Sequence, residues 1–181
     1  MIFPITINQY LYPMKIDVQR TFKFYYLKFV RLQGAPSVLA RGVAVGTFIG
    51  VTPTIPFHVI LALFFSFLCR GSKVAAVLAT FVVSNPVTLL PQYYFSWQIG
   101  NWLFPGKHSW ENISELINLV VNGAGIKEIL VAFTHVSINS LTVLIGGGIV
   151  LAIPIAVVSY FLSYMFFSAI QKKRLEKKAL N

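Results

Sequence analysis

Charge is scarce in this chain, and acidic charge scarcest. Of 181 residues, 11% are charged and five are Asp or Glu. A soluble domain averages about 25% charged. Three stretches, Gly42–Cys69, Val74–Gly106 and Ile129–Gln171, hold no Asp, Glu, Lys or Arg at all. Without a carboxylate in those stretches there are no paired acids for glycoside hydrolysis. Nor is there an acidic relay of the kind proton- or sodium-coupled transporters use inside a membrane. The three histidines, His58, His108 and His135, lack metal-ligand spacing, and no Walker or dinucleotide glycine motif occurs. The single cysteine, Cys69, permits no internal disulfide and reads as a small apolar filler. These absences argue against an enzyme, a cofactor and a metal site.

What the chain does have is apolar length. Hydrophobic residues make up 56% of it, and each uncharged stretch exceeds the roughly 20 residues a helix needs to cross a bilayer core. The expected class is an all-α integral membrane protein. The start, "MIFPITINQYLYPMK", has no basic region and no long apolar region, so it does not read as a signal peptide. The net charge of +10 sits beside the apolar stretches: Arg20, Lys23, Lys28, Arg31 and Arg41 before the first, Arg70 and Lys73 after it, and Lys172, Lys173, Arg174, Lys177 and Lys178 after the last. Basic residues in those places mark a cytoplasmic face and meet anionic headgroups, so nucleic acid is not the expected partner.

Five regions follow. Residues 1–35 include an amphipathic interface helix, with Phe22, Tyr25, Tyr26, Phe29 and Leu32 on one face and Arg20, Lys23, Lys28 and Arg31 on the other. The alternative is a helix packed on the protein's own cytoplasmic end. Residues 36–106 form a membrane core with two proline breaks. Residues 107–136, which contain an apolar stripe from Ile113 to Val121, read as an outer surface helix. Residues 137–171 are a C-terminal span with a kink at Pro154, and 172–181 are a basic cytoplasmic tail.

Within the core, Gly42, Gly46 and Gly50 recur at spacing four, a stripe that lets another helix approach closely. Pro53 and Pro56 then interrupt the first stretch, leaving halves Gly42–Val51 and Phe57–Cys69 that are each too short to span. Arg41 flanks one half, and Arg70 and Lys73 the other. A re-entrant helical hairpin keeps both flanks on the cytoplasmic side; a single kinked span would not. The second stretch breaks at Ser84–Asn85–Pro86 and again at Pro91, as a proline-broken transmembrane helix. Gly148, Ala152 and Ala156 make a second small-residue stripe facing a partner helix. The summed topology has both termini in the cytoplasm.

From "LARGVAVGTFIGVTPTIPFHVILALFFSFLCR" through "KVAAVLATFVVSNPVTLLPQYYFSWQIG" the chain resembles a bacterial inner-membrane family, the domain of unknown function numbered two thousand and sixty-two. "SNPVTLLPQYY" with Gly100 carries most of the likeness, which runs closely over Pro36–Gly106 and loosely beyond. The resemblance implies a bacterial inner membrane and no assigned activity. It also implies relatives fused to glycosyltransferases that use polyprenyl-phosphate sugars, so a glycosyltransferase is one expected partner and a homo-oligomer another.

Polar residues at membrane depth are the candidate site. Thr52, Thr54, His58, Ser84, Asn85 and Thr88 sit at the two breaks, where restarting half-helices would point N–H groups at an anion. Arg41, Arg70 and Lys73 would supply charge from the inner mouth. The expected ligand is an anionic lipid, polyprenyl phosphate or phospholipid. The competing reading is that the Thr and Asn side chains only satisfy backbone groups freed by the prolines, in a membrane scaffold whose glycine stripes hold a partner protein.

Overall fold

The computed structural model describes residues 18–54, 57–104 and 138–180, with isolated positions between 114 and 131. Among them are six helices and no strand: α1 Val18–Arg31, α2 Pro36–Val51, α3 His58–Leu68, α4 Lys73–Val83, α5 Pro86–Leu103 and α6 Ile138–Ala179. The surface helix expected within 107–136 lies outside the described residues save those isolated positions, as do Pro56, His108 and His135.

The organising contact is between α2 and α4. Gly42, Gly46 and Gly50 lie on Ser72, Ala76 and Thr80, and a Cβ added at Gly46 would overlap the Ala76 carbonyl. Three hydrogen bonds run along this seam. The Ser72 amide donates to the Val38 carbonyl (2.9 Å), the Thr80 hydroxyl to the Gly46 carbonyl (3.0 Å) and the Ser84 hydroxyl to the Gly50 carbonyl (3.0 Å). Each joins residues 34 apart, so the two helices run parallel. Glycine on one side and Ala, Thr and Ser at the same spacing on the other let the backbones come close enough for this.

Helix α2 begins at Pro36, six residues earlier than the expected Gly42. Proline is well suited to a first turn, and nothing in "PSVLAR" interrupts the helix before Gly42. It ends at Val51, where the Thr52 amide bonds the Phe48 carbonyl and Pro53 has no amide to continue the ladder. The chain then reverses into α3, which packs back on α2 and α4 through Ala62 and Ser66, both fully buried.

The second break takes another course. α4 and α5 meet at 88°. The additional break expected at Pro91 is not there, because α5 runs through it from Pro86 to Leu103. Pro91 forfeits the bond to the carbonyl four residues back, in the first turn of α5, and the rest of the ladder remains. α5 leaves towards α6, where Gly100 lies under the Val143 carbonyl and Gly147 against the Ser96 carbonyl.

Helix α6 is 42 residues long, continues through Pro154, and runs antiparallel to α2. Gly148 abuts Pro53 at one end, and Phe167 joins Leu39 and Val43 at the other. Of the second small-residue stripe, Gly148 lies against Pro53 and Ala152 is fully buried. Beyond Phe167, Arg174 donates to the carbonyls of Leu32 (3.2 Å) and Val30, fastening the end of α1 to the end of α6. A cation there meets the negative end of the α1 dipole, as do Lys28 and Arg31 in its last turn.

The side chains with no exposed surface are small. Ala40, Ala62, Ala75, Ala76, Ser66, Thr80 and Ser96 are fully buried, while Trp102, Met165, Phe67 and Ile60 are exposed by 83%, 68%, 66% and 66%. One helix, over Ser140–Lys177, is long and apolar enough to cross a membrane; a second span results if α4 and α5 are taken as one bent element. α2 and α3 are apolar but shorter.

Candidate functional site

The sequence-predicted polar residues fall into two groups at opposite ends of α2. Thr52, Thr54, His58, Ser84, Asn85 and Thr88 lie around the breaks, and Arg41, Arg70 and Lys73 lie at the other end. Eleven residues of helix separate Arg41 from Thr52, about 16 Å at about 1.5 Å per residue. The structure does not bring Arg41 to face the broken turns.

At the breaks the hydroxyls point backwards. Thr52 donates to the Phe48 carbonyl (2.8 Å), and Thr54 to the carbonyls of Ile49 (3.5 Å) and Thr52 (3.3 Å). Ser84 donates to Gly50. The Thr88 hydroxyl donates to the Val83 and Asn85 carbonyls and accepts from the Asn85 amide, and Gln92 adds a bond to Val83 (3.1 Å). These side chains thus serve the C-terminal carbonyls of α2 and α4, the negative ends of the helices. Thr54 was expected to cap α3, but the α3 N-cap is Phe57 with no side-chain cap bond. At the second break Thr88 reaches back to the Asn85 amide in the form of a start cap, with Pro86 opening α5. His58 sets its ring edge-on to Phe81 with centroids 6.4 Å apart, and its buried Nδ1 has no hydrogen-bond partner among the described residues.

The basic end is assembled by the α3–α4 turn returning to the start of α2. Arg41 Nη1 donates to the Cys69 carbonyl (3.2 Å) and its Nε to the Ser37 carbonyl (3.3 Å). Gly71 packs on Gly42, and Ser72 caps α4 by accepting from the Ala75 amide (3.3 Å). Helix α3 closes with paired bonds, Gly71 N–H to the Ser66 carbonyl (2.8 Å) and Arg70 N–H to the Phe67 carbonyl (3.1 Å). That closure requires a left-handed residue between them, usually glycine. Here it is Arg70, at φ 50°. Lys73 extends to the Phe67 ring, its Nζ 5.2 Å from the centroid. The stretch 18–104 holds seven Lys or Arg and no Asp or Glu.

Between α2, α3 and α6 an open apolar groove of about 490 Å³ starts at Cys69 and runs along the helices towards Phe48. Ala44 and Ala156 line it, and their small side chains leave the space. Tyr160 also lines it, and stacks on Tyr164 one turn nearer the basic end (19° between rings). Neither the groove nor the left-handed Arg70 is legible as a site from residue types alone. The Thr80 and Ser84 contacts do have a sequence signal: Ala76, Thr80 and Ser84 repeat the four-residue spacing of the glycines they meet. Among the described residues no group of three or more His, Cys, Asp or Glu could hold a metal.

The model of one family, described as an uncharacterized protein conserved in bacteria (DUF2062), matches residues 19–176, and the chain belongs to that family. No curated protein and no solved structure matches it.

Proposed function

We propose that this family member is a non-catalytic, multi-pass protein of the bacterial cytoplasmic membrane. In this reading it binds or moves an anionic lipid of the polyprenyl-phosphate class for envelope glycan synthesis, through its basic end. The carrying observation is the meeting of Arg41, Arg70 and Lys73 at one end of a bundle, in a stretch that contains no carboxylate. Cations at a membrane surface attract anionic lipid, by roughly 1 kcal/mol each. Helix contacts made through glycine and alanine, with large apolar side chains outside, support a lipid surrounding, since helices in lipid associate through small residues. The contact of Arg41 with the Cys69 carbonyl supports a re-entrant α2–α3 hairpin with both flanks in the cytoplasm, beside α1 and the tail of α6.

The scaffold reading loses its main motive. The glycines it would offer to a partner are covered by α4, and Gly148 of the second stripe by Pro53. Polar breaks need no partner either, because their hydroxyls are bonded within the chain.

Native mass spectrometry of the purified protein tests the lipid reading. Anionic lipid should co-purify in preference to zwitterionic lipid, and the combined Arg41→Gln, Arg70→Gln, Lys73→Gln variant should lose that preference. An unchanged lipid profile in a folded triple variant would overturn the reading. Topology is tested separately in a Cys69→Ser background. Cysteines at Gln33 and Lys73, both exposed, should react with an impermeant thiol reagent from the same, inner side. Reaction of one from outside would rule out the hairpin.

A further inference from the structure

Arg70 occupies a place where its side chain does nothing for the fold. The bonds that close α3 at this turn use backbone atoms only, and glycine would make them without the steric cost an L side chain meets at φ 50°. Its guanidinium makes no hydrogen bond or ion pair among the described residues and is exposed. A charged residue kept in a disfavoured conformation points to a use for the charge. Its neighbour Cys69 stands at the end of the apolar groove, and Arg41 holds the Cys69 carbonyl with Nη1 and the Ser37 carbonyl with Nε, so that Nη2 is the nitrogen left for a ligand. Lys73 is engaged with Phe67, which is not part of the groove wall.

The groove itself is a gap in otherwise close packing. Towards the break Pro53, just past α2, touches Gly148 of α6, and towards the basic end Val43 packs with Phe167; between them the alanines leave about 490 Å³ unfilled. The space is open along its side and apolar, with cations beside its Cys69 end and no carboxylate in their stretch to neutralise them.

We infer that this groove takes the hydrocarbon chain of a single-chain lipid monophosphate, whose phosphate is met at the Cys69 end by Arg70 and Arg41. The inference rests on the lipid reading above and names its substrate class and place of binding. Charge complementarity selects the occupant: a phosphate offers the acceptors two guanidinium groups match, and the groove has room beside them for one chain.

Binding of farnesyl monophosphate to the purified protein in detergent tests it, with farnesol and inorganic phosphate as the two halves of the ligand. Farnesyl monophosphate should bind and neither half should compete at equal concentration. Arg70→Gly should weaken binding about fivefold while raising the melting temperature by about 2–4 °C, since strain is removed with the charge. A merely structural Arg70 would not move those two readouts in opposite senses. Ala156→Phe and, independently, Ala44→Leu should weaken binding by filling the groove. Unchanged binding in Arg70→Gly and in both filling variants, with anionic lipid still retained by the wild type, would overturn this site and leave the broader reading standing. Inorganic phosphate competing as well as the whole lipid would overturn the groove. Wild-type protein without preference for anionic lipid would overturn both.

Discussion

The two breaks in the core begin from similar sequence and end differently. Aligned at a separation of 33, "GTFIGVTP" over 46–53 and "ATFVVSNP" over 79–86 share Thr, Phe and Pro in the same places. In each, a short apolar helix stops before a proline, and hydroxyls of the following residues turn back to its last carbonyls. After the first the chain doubles back as α3; after the second it turns through 88° as α5. The local sequence sets where each helix stops. The direction taken afterwards is set by which small residues the next helix offers and to whom: Ala62 and Ser66 return α3 to α2 and α4, and Ser96 and Gly100 hold α5 against α6.

If close backbone contact governs the arrangement, the largest effect should come from filling it. Gly46→Leu should cost about 3 kcal/mol or more, because the Ala76 carbonyl has no room to withdraw. Val45→Leu, one position away on the groove wall, should be tolerated. Yield and thermal stability in detergent measure both, and equal values would break the comparison.

A second test separates prolines that stop helices from prolines that helices absorb. Pro91→Ala should stabilise the protein by about 2 kcal/mol, since α5 already runs through that position and regains an amide there. A loss of stability would mean that Pro91 directs the turn into α5.

Next in size is the seam between α2 and α4. Thr80 is fully buried and its hydroxyl reaches the carbonyls of both Gly46 and Ala76. Thr80→Val should cost about 1–2 kcal/mol in a thermal or denaturant melt. The smallest difference lies between the breaks themselves. Thr88→Val should cost more than Thr52→Val, by about 0.5–1 kcal/mol, because Thr88 serves three backbone groups and Thr52 one.

Helix class, the two core breaks and the glycine seam could all be read from residue types, because spacing of small residues and proline chemistry act locally. The direction of the hydroxyls could not. "TPT" is equally compatible with capping the helix behind it and the helix ahead, and only the path of the chain decides that Thr54 turns back to Ile49. The separation of Arg41 from the breaks is likewise tertiary: a cation adjoining a 28-residue uncharged stretch does not reveal which end of the folded pair it will occupy. Pro91 was misleading for a related reason. A proline reads as a stop in sequence, whereas five residues into a helix its lost bond is confined to the opening turns.

The contact between Arg41 and the Cys69 carbonyl has a consequence for how the protein is made. Under the proposed topology no charged side chain between Gly42 and Cys69 has to be carried across the bilayer, because there is none. What enters is the Thr52–Pro53–Thr54 turn, with both hydroxyls already bonded to carbonyls of α2. Such a pair can be inserted as a unit, driven by its apolar faces and retained at its mouth by cations that never leave the aqueous side.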